Sequence, residues 1–335
     1  AIVVLTLMTI VFALLAIHLR FQHNRRDRGW QALRTRWDAD ILDVLSGDRG
    51  IDEFRRQVLP AQELDFIRFL APYAYRLRGS DLDILAQLAR HYLAHVEPML
   101  AHRSPGVRIW AVNVLGLFGM PEKETVIASM LSDESPAVAM FAAGTLLSHQ
   151  RTEFIDRIFD EFHRFHKWNT NALANLLVRA GPKAISSLER VYLDEKRPAR
   201  TRVIAAEALG RCNAYSALNA ALLVLGNEND VDILVATLHL LAHISQGRHI
   251  DAIRRICNSP NDVLRITAVR TLRTLGAHAD LPAFRKAFTD VNPWVARHAA
   301  LALRELGDNA TLQTAADDEA NPRCMMARQI LAGSA

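Results

Sequence analysis

The sequence predicts an all-α protein, an α-solenoid of stacked helical hairpins preceded by one N-terminal transmembrane helix. Three observations lead to this prediction. An Ala-x-x-x-Leu pair recurs along the chain at steps of 28 to 33 residues. Apolar residues recur at helical spacing, as at Val107, Ala111, Val114 and Leu115. The first 19 residues contain no charged side chain.

Composition narrows the class of protein. Half of the residues are hydrophobic and 23% are charged, so a sizeable core is available and wholesale disorder is excluded. Three cysteines are too few for a disulfide framework or a four-cysteine metal site. The 40 basic residues exceed the 36 acidic ones only slightly, so no nucleic-acid partner is expected.

Residues 1–19 are predicted to be a membrane anchor. As a helix they span ~28 Å, close to the ~30 Å thickness of the hydrocarbon layer. Arg20, Arg25, Arg26 and Arg28 follow directly and predict that this flank stays inside the cell. A cleaved signal peptide would need a basic leader and a small-x-small cleavage site, and neither is visible. Arginine-rich, lysine-poor usage is typical of a bacterial source, so we expect a single-pass inner-membrane protein with its N-terminus outside.

Residues 20–103 are predicted to be a basic juxtamembrane segment and a helical N-terminal cap of the solenoid. Residues 29–45 form an amphipathic pattern with Trp30 and Trp37 on one face. These tryptophans either pack in the cap or, together with the four arginines, lie at the lipid headgroups. Pro60 and Pro72 are expected to break the following apolar stretch, and Ser80 to cap a helix after it.

Residues 104–335 are predicted to be the repeat array. Small alanines at helical spacing let neighbouring helices approach closely, and a leucine one turn later fills the space between them. A serine or asparagine followed by proline opens several repeats, as at Ser104-Pro105, Ser135-Pro136, Asn292-Pro293 and Asn321-Pro322. The recurring pairs are Ala111/Leu115, Ala142/Leu146, Ala172/Leu176, Ala205/Leu209, Ala236/Leu240, Ala268/Leu272, Ala299/Leu303 and Ala327/Leu331.

The repeat motif points to one family. Residues 292–307 read Asn-Pro-Trp-Val-Ala-Arg-His-Ala-Ala-Leu-Ala-Leu-Arg-Glu-Leu-Gly, and residues 104–119 and 261–276 follow the same pattern. This motif resembles HEAT repeats of the short bacterial type. The signatures of ankyrin and tetratricopeptide repeats are absent from the sequence. The resemblance implies two helices per repeat and an extended surface for binding proteins.

Catalytic chemistry is not apparent in the sequence. It contains no glycine-rich phosphate loop, nucleophile elbow or CxxC pair. His91/His95 and His239/His243 have the spacing of metal ligands, but ordinary helix histidines explain them better. We therefore expect a protein that is not an enzyme and has no cofactor or metal site.

Basic side chains on the second helices form a candidate partner surface. The alternative is ordinary solvation, because Asp156, Asp160, Glu189 and Asp251 are interleaved with them. The resemblance to HEAT repeats implies that the second helices line the concave surface. It also implies that Arg108, Arg265 and Arg297 of the first helices bridge repeats. The basic stripe consists of Arg157, Arg164, Arg190, Arg254, Arg255, Arg285 and Lys286.

These features predict a non-catalytic scaffold or accessory subunit that binds an integral membrane protein at the cytoplasmic face. Family analogy extends this partner to membrane enzymes such as polysaccharide-synthesising glycosyltransferases. Two alternatives stay open. Short HEAT-like repeats also resemble phycobilin lyases, which attach chromophores to proteins, and some solenoids grip nucleic acid with a basic groove.

Overall fold

The regular structure is helical, as the sequence predicts. A computed structural model describes residues 30–165, 168–245 and 249–333, and no strand occurs in these ranges. The chain divides into two compact units, Ala1–Ile127 and Ala128–Ala335. The predicted boundary at residue 103 falls inside the first of these units.

The prediction of a membrane protein is corrected. The apolar segment 1–19 and the arginines at positions 20, 25, 26 and 28 lie outside the described residues. Within the residues that the structure describes, every helix is too short or too polar to cross a bilayer. A span needs ~20 mainly apolar residues. No helix of the described ranges therefore supports a location as a single-pass protein of the inner membrane.

The first unit is built around a buried aromatic cluster. Trp37 is fully buried, and its ring centroid lies 5.1 Å from that of Phe66 and 5.5 Å from that of Phe69. Trp30 meets Trp37 edge-on at 6.4 Å, which fits the packing alternative, and its place at a membrane interface stays a prediction. The helices are α1 (residues 30–46), α2 (Ile51–Arg55), α3 (Glu63–Ala74), α4 (Ser80–Arg90), α5 (Leu93–Val96) and α6 (Pro105–Phe118).

The helix boundaries in this unit differ in detail from the prediction. Pro60 begins a short 3-10 turn, where its missing N–H costs nothing. Pro72 does not break α3, because it lies near the C-terminal end and the helix continues only to Ala74. Ser80 is the first residue of α4, and Gly79, with a φ of 62°, occupies the capping position. A left-handed backbone of this kind favours glycine.

The second unit is a row of helical hairpins, and α7 (Glu124–Ser129) leads into it. The first helices of its repeats are α8 (Pro136–Ser148), α10 (Thr170–Val178), α12 (Ala199–Arg211), α14 (Val231–Ile244), α16 (Asp262–Leu275) and α18 (Pro293–Glu305). The second helices are α9 (Ile155–Asp160), α11 (Ile185–Leu193), α13 (Leu218–Asn227), α15 (Ile250–Ile256), α17 (Leu281–Phe288) and α19 (Asn309–Asp317). A last helix, α20 (Cys324–Leu331), follows α19.

The predicted starts of the first helices are largely confirmed. Pro136 and Pro293 open α8 and α18, and Asn292 accepts a hydrogen bond from the N–H of Trp294. Asn261 caps α16 in the same way without a proline. The exception is Asn321, since α20 begins only at Cys324.

The repeating alanines lie in the core with one exception. Seven of the eight are buried, but Ala172 is exposed. In α10, Leu173 and Leu177 are fully buried, one residue further along than the predicted pair. Each residue turns a helix by ~100°, so this offset rotates α10 about its axis relative to the sequence pattern.

The first helices, rather than the second helices, pack closely from repeat to repeat. A Cβ atom at Gly210 of α12 would lie only 3.5 Å from the Cα of Leu240 in α14. Contacts between α12 and α14 are far more extensive than those between α11 and α13. The expectation that the second helices line the concave surface stays a prediction.

Candidate partner-binding surface

Three arginines of the basic stripe form ion pairs between repeats. Arg190 of α11 lies 2.5 Å from Asp156 of α9, and Arg254 of α15 lies 2.5 Å from Asp280, just before α17. Arg285 of α17 lies 2.8 Å from Asp308, just before α19. The hydrogen bond from Arg285 lowers the pKa of Asp308 below its ordinary value. These three charges are thus partly neutralised within the protein.

Two more cations of the stripe are also bound. Arg164 donates to the backbone oxygens of Leu131 and Asp133 and pairs with Glu161 at 2.9 Å. Lys286 donates to the side-chain oxygen of Asn258 at 2.6 Å.

Arg157 and Arg255 differ from the other members of the stripe. Arg157 makes only a long hydrogen bond of 3.5 Å to Ser132, and Arg255 is exposed on α15. Neither forms a salt bridge with an acidic group of the described residues. The structure therefore accounts for five of the seven residues by contacts inside the solenoid, and the stripe as a partner surface stays a prediction.

The prediction that first-helix arginines bridge repeats is confirmed for Arg265. Its guanidinium lies 2.8 Å from Asp290 of the next repeat and donates to the Ser259 oxygen at 2.9 Å. Burial alone would raise the pKa of Asp290, but hydrogen bonds from Arg265 and the Asn292 N–H outweigh it and lower the pKa. Arg108, in the first unit, donates to the His102 oxygen at 2.9 Å, and its bridging role stays a prediction.

Sequence reasoning missed a second surface, which we call the first-helix face. It consists of side chains that stay exposed or half-exposed along α10, α12, α14, α16 and α18. Their spacing of about four residues within each helix aligns them on one side. The members used below are Asn171, Asn175, Val203, Glu207, Arg211, Val235, His239, Ile266, Arg270 and Arg297.

A groove of about 530 Å³ lies on this face across α10, α12 and α14. Asn171, Val203, Glu207, Val235 and His239 contribute to its lining. The signal that could have revealed it is the i, i+4 spacing of these side chains, but polar residues on other sides of α12 and α16, such as Arg202 and Arg265, obscure it in the sequence.

Polar contacts across repeats organise the groove. Glu207 of α12 lies 2.8 Å from Nδ1 of His239 in α14. Burial raises the pKa of Glu207, but the hydrogen bond and charge of His239 outweigh this, so the pKa is lowered overall. Arg211 donates to the backbone oxygen of Asn171 at 2.9 Å and to its side-chain oxygen at 2.6 Å. The amide groups of the asparagines can therefore both accept from the protein and donate to a ligand.

The candidate metal-ligating and nucleophilic residues occupy ordinary structural positions. His95 pairs with Glu63 at 2.8 Å and His239 with Glu207, and no group of three metal-binding side chains occurs among the residues described. Burial, with the charge of Asp280, raises the pKa of the Cys257 thiol to about 12. A thiol with so high a pKa is a poor nucleophile near neutral pH.

The comparison with protein families agrees with this architecture. Residues 220–304 and 250–331 match HEAT repeats. The two matched segments together cover about a third of the chain. They include the helices α14, α16 and α18, which carry the C-terminal part of the first-helix face. No curated protein matches the chain by sequence.

Several solved structures are similar to this chain at low identity. The CpcE–CpcF complex of phycocyanin lyase from Nostoc sp. is 17% identical over 72% of this chain and 87% of that chain, with a TM-score of 0.31. Kap121p is 13% identical over 81% of this chain but only 41% of its own, with a TM-score of 0.41. Human deoxyhypusine hydroxylase is 16% identical over 84% of this chain and 99% of its own, with a TM-score of 0.34.

Proposed function

We propose that this HEAT-repeat protein is a non-catalytic scaffold that binds a protein partner along its first-helix face. The observation that carries the proposal is the alignment of exposed side chains on successive first helices, with a groove across α10, α12 and α14. Stacked repeats expose a long surface of this kind, and repeat proteins use it to bind other proteins.

The apolar members of the face provide the contact area. Val203, Val235 and Ile266 lie on three successive first helices, at corresponding places in the repeats, and are half-exposed. Polar groups around them, such as Glu207 and Arg211, supply the directional hydrogen bonds that make a protein interface specific. This combination fits a protein surface better than a small-molecule pocket, because the groove is open along the helices.

Partner contact is tested by site-specific photo-crosslinking in the native host. A photoreactive amino acid is placed at Val203, Val235 or Ile266, and at Leu223 of α13 as an exposed control on a second helix. We expect a crosslinked protein of the same mass at the three face positions and none at Leu223. A crosslink at Leu223 alone would move the interface to the second helices and overturn the proposal.

The finer predictions about the partner are not part of this proposal. A membrane glycosyltransferase as the partner rested on family analogy alone. The structure provides no observation that favours chromophore attachment or nucleic-acid binding, so we propose neither of these functions.

A further inference from the structure

The C-terminal part of the first-helix face carries a cluster of positive charge. Arg270 of α16 and Arg297 of α18 belong to it, together with Arg273 of α16. Burial lowers the pKa of His298 in α18, and the positive charges of the three guanidinium groups lower it further. The ion pair between Arg273 of α16 and Glu305 of α18 shows that the two helices lie side by side at this place.

Acidic side chains of the described residues neutralise only part of the positive charge of this cluster. Arg273 pairs with both carboxylate oxygens of Glu305, with distances of 2.7 and 2.5 Å. Arg270 and Arg297 form no salt bridge to an acidic side chain in the described parts of the chain. On the neighbouring α14, the face continues with His239, which already pairs with Glu207. The surface around Arg270 and Arg297 therefore keeps an excess of two positive charges.

Apolar side chains border the cluster at the starts of the same two helices. Trp294, at the second position of α18, is 61% exposed, and Val263, at the second position of α16, is 52% exposed. A hydrogen bond of 3.1 Å from Asn292 to Asp262 ties these two helix starts together. An exposed tryptophan beside unpaired arginines has the composition of a protein-binding hot spot.

We propose that this cluster binds an acidic peptide segment of a protein partner. Carboxylates of the segment pair with Arg270 and Arg297, and an apolar side chain of the segment packs on Trp294 and Val263. The inference rests on the proposed function, since it names the partner class for one part of the first-helix face. Planar guanidinium groups bind carboxylates in two-pronged hydrogen bonds, which gives such a site both strength and orientation.

Charge along the face favours a peptide over nucleic acid. A nucleic-acid groove needs a continuous row of cations that follows the phosphates. Here Glu207 and Asp232 interrupt the positive charge in the preceding repeats, and Glu305 follows it in α18. A short acidic segment needs only the local cluster.

Binding of a fluorescein-labelled peptide, with glutamates around a central leucine, tests the proposal on the full chain. We expect saturable binding that the double variant Arg270→Gln/Arg297→Gln weakens by at least about tenfold, since two charge-assisted contacts are lost. The control variant Arg157→Gln/Arg255→Gln removes the same charge from exposed second-helix sites and should stay within about twofold of the wild type. A second readout is the His298 imidazole resonance, whose pKa should rise when carboxylates bind nearby.

Three outcomes would overturn the proposal. One is equal weakening by both double variants, which would show general charge attraction. Another is no binding of the glutamate peptide, and the third is tighter binding of an oligothymidine than of the peptide. Crosslinks at Val203 and Val235 test the proposed first-helix face independently of the peptide. If those crosslinks form but the peptide does not bind, this inference is refuted and the proposed function is not.

Discussion

Single residues show that the stacking of repeats provides buried charged side chains with partners of opposite charge. Asp280 is only 1% exposed, yet it accepts from Arg254 of the preceding repeat and from the N–H of Ala277. Arg202 is likewise buried against Glu228 at 2.6 Å. Buried carboxylates and guanidinium groups are tolerated because each has a partner supplied from elsewhere in the chain.

The pKa of His298 gives a prediction at this scale. Burial and the charges of Arg270, Arg273 and Arg297 lower the pKa of His298 below its ordinary value of 6.5. We expect Arg270→Gln to raise that pKa, because one of the repelling charges is removed. An NMR titration of the imidazole proton measures the change, with Arg255→Gln as the control of equal charge. An unchanged pKa in Arg270→Gln would contradict the placement of Arg270 beside His298.

The same shift fixes the sign of a pH effect on stability. Below pH 6.5 the unfolded chain binds a proton at this histidine more readily than the folded chain does. His298 therefore lowers the free energy of unfolding as the pH falls from about 6.5 toward its folded pKa, and has no such effect at higher pH.

At the scale of elements, the close approach of first helices is the feature that arranges the face. Gly210 lets α12 lie against α14, where an added Cβ would meet His243 at 3.3 Å and Leu240 at 3.5 Å. Without this approach, Glu207 and His239 would not come within hydrogen-bonding distance across the two helices. The small residues of the first helices thus position the groove as well as the core.

A larger residue at position 210 should separate these two helices. We expect Gly210→Val to lower the free energy of unfolding by about 1–3 kcal/mol, the usual cost of overpacking. Gly226→Val, in α13, is the matched control, because nothing lies within 4 Å of a Cβ at that position. The control should change stability by no more than about 0.5 kcal/mol. Urea denaturation followed by circular dichroism compares the two variants, and equal losses would show that α12 and α14 are not closely packed.

At the scale of the whole molecule, the second unit is stabilised by contacts between neighbours along the chain. Its ion pairs between repeats join residues 23 to 41 positions apart, as Arg265 and Asp290 do. Within the described residues, α20 packs against α18 and α19. Arg304 of α18 donates to the Ile330 oxygen of α20 at 2.7 Å.

Removal of the terminal helices should therefore weaken the repeats before them. We expect a chain that ends at Leu306, without α19 and α20, to lose at least about 2 kcal/mol of unfolding free energy, the value of one re-exposed large apolar side chain. Urea denaturation measures the loss against a control chain that ends at residue 333. A midpoint equal to that of the control would show that α19 and α20 do not support α18.

The sequence by itself determined the helical class, the repeat period and most of the helix starts. These are local properties: apolar spacing, a capping asparagine and a proline at the first helical position act within one or two turns. The same local rules could not place Ala172, because a rotation of α10 by one residue depends on which neighbour it packs against. They also could not establish the membrane location, which the described helices do not support.

Only the tertiary structure decided which helix row packs closely from repeat to repeat and which charged side chains have partners. Arg190 and Arg255 look alike in the sequence, but Asp156 lies beside the first, while no described carboxylate pairs with the second. Arg270 and Arg297 differ from the paired arginines in the same way, because the folded chain places the acidic side chains of the described residues beside other arginines. Whether two charges pair depends on the distance between them across repeats. The packing between helices sets that distance, and the order of residues along the chain does not.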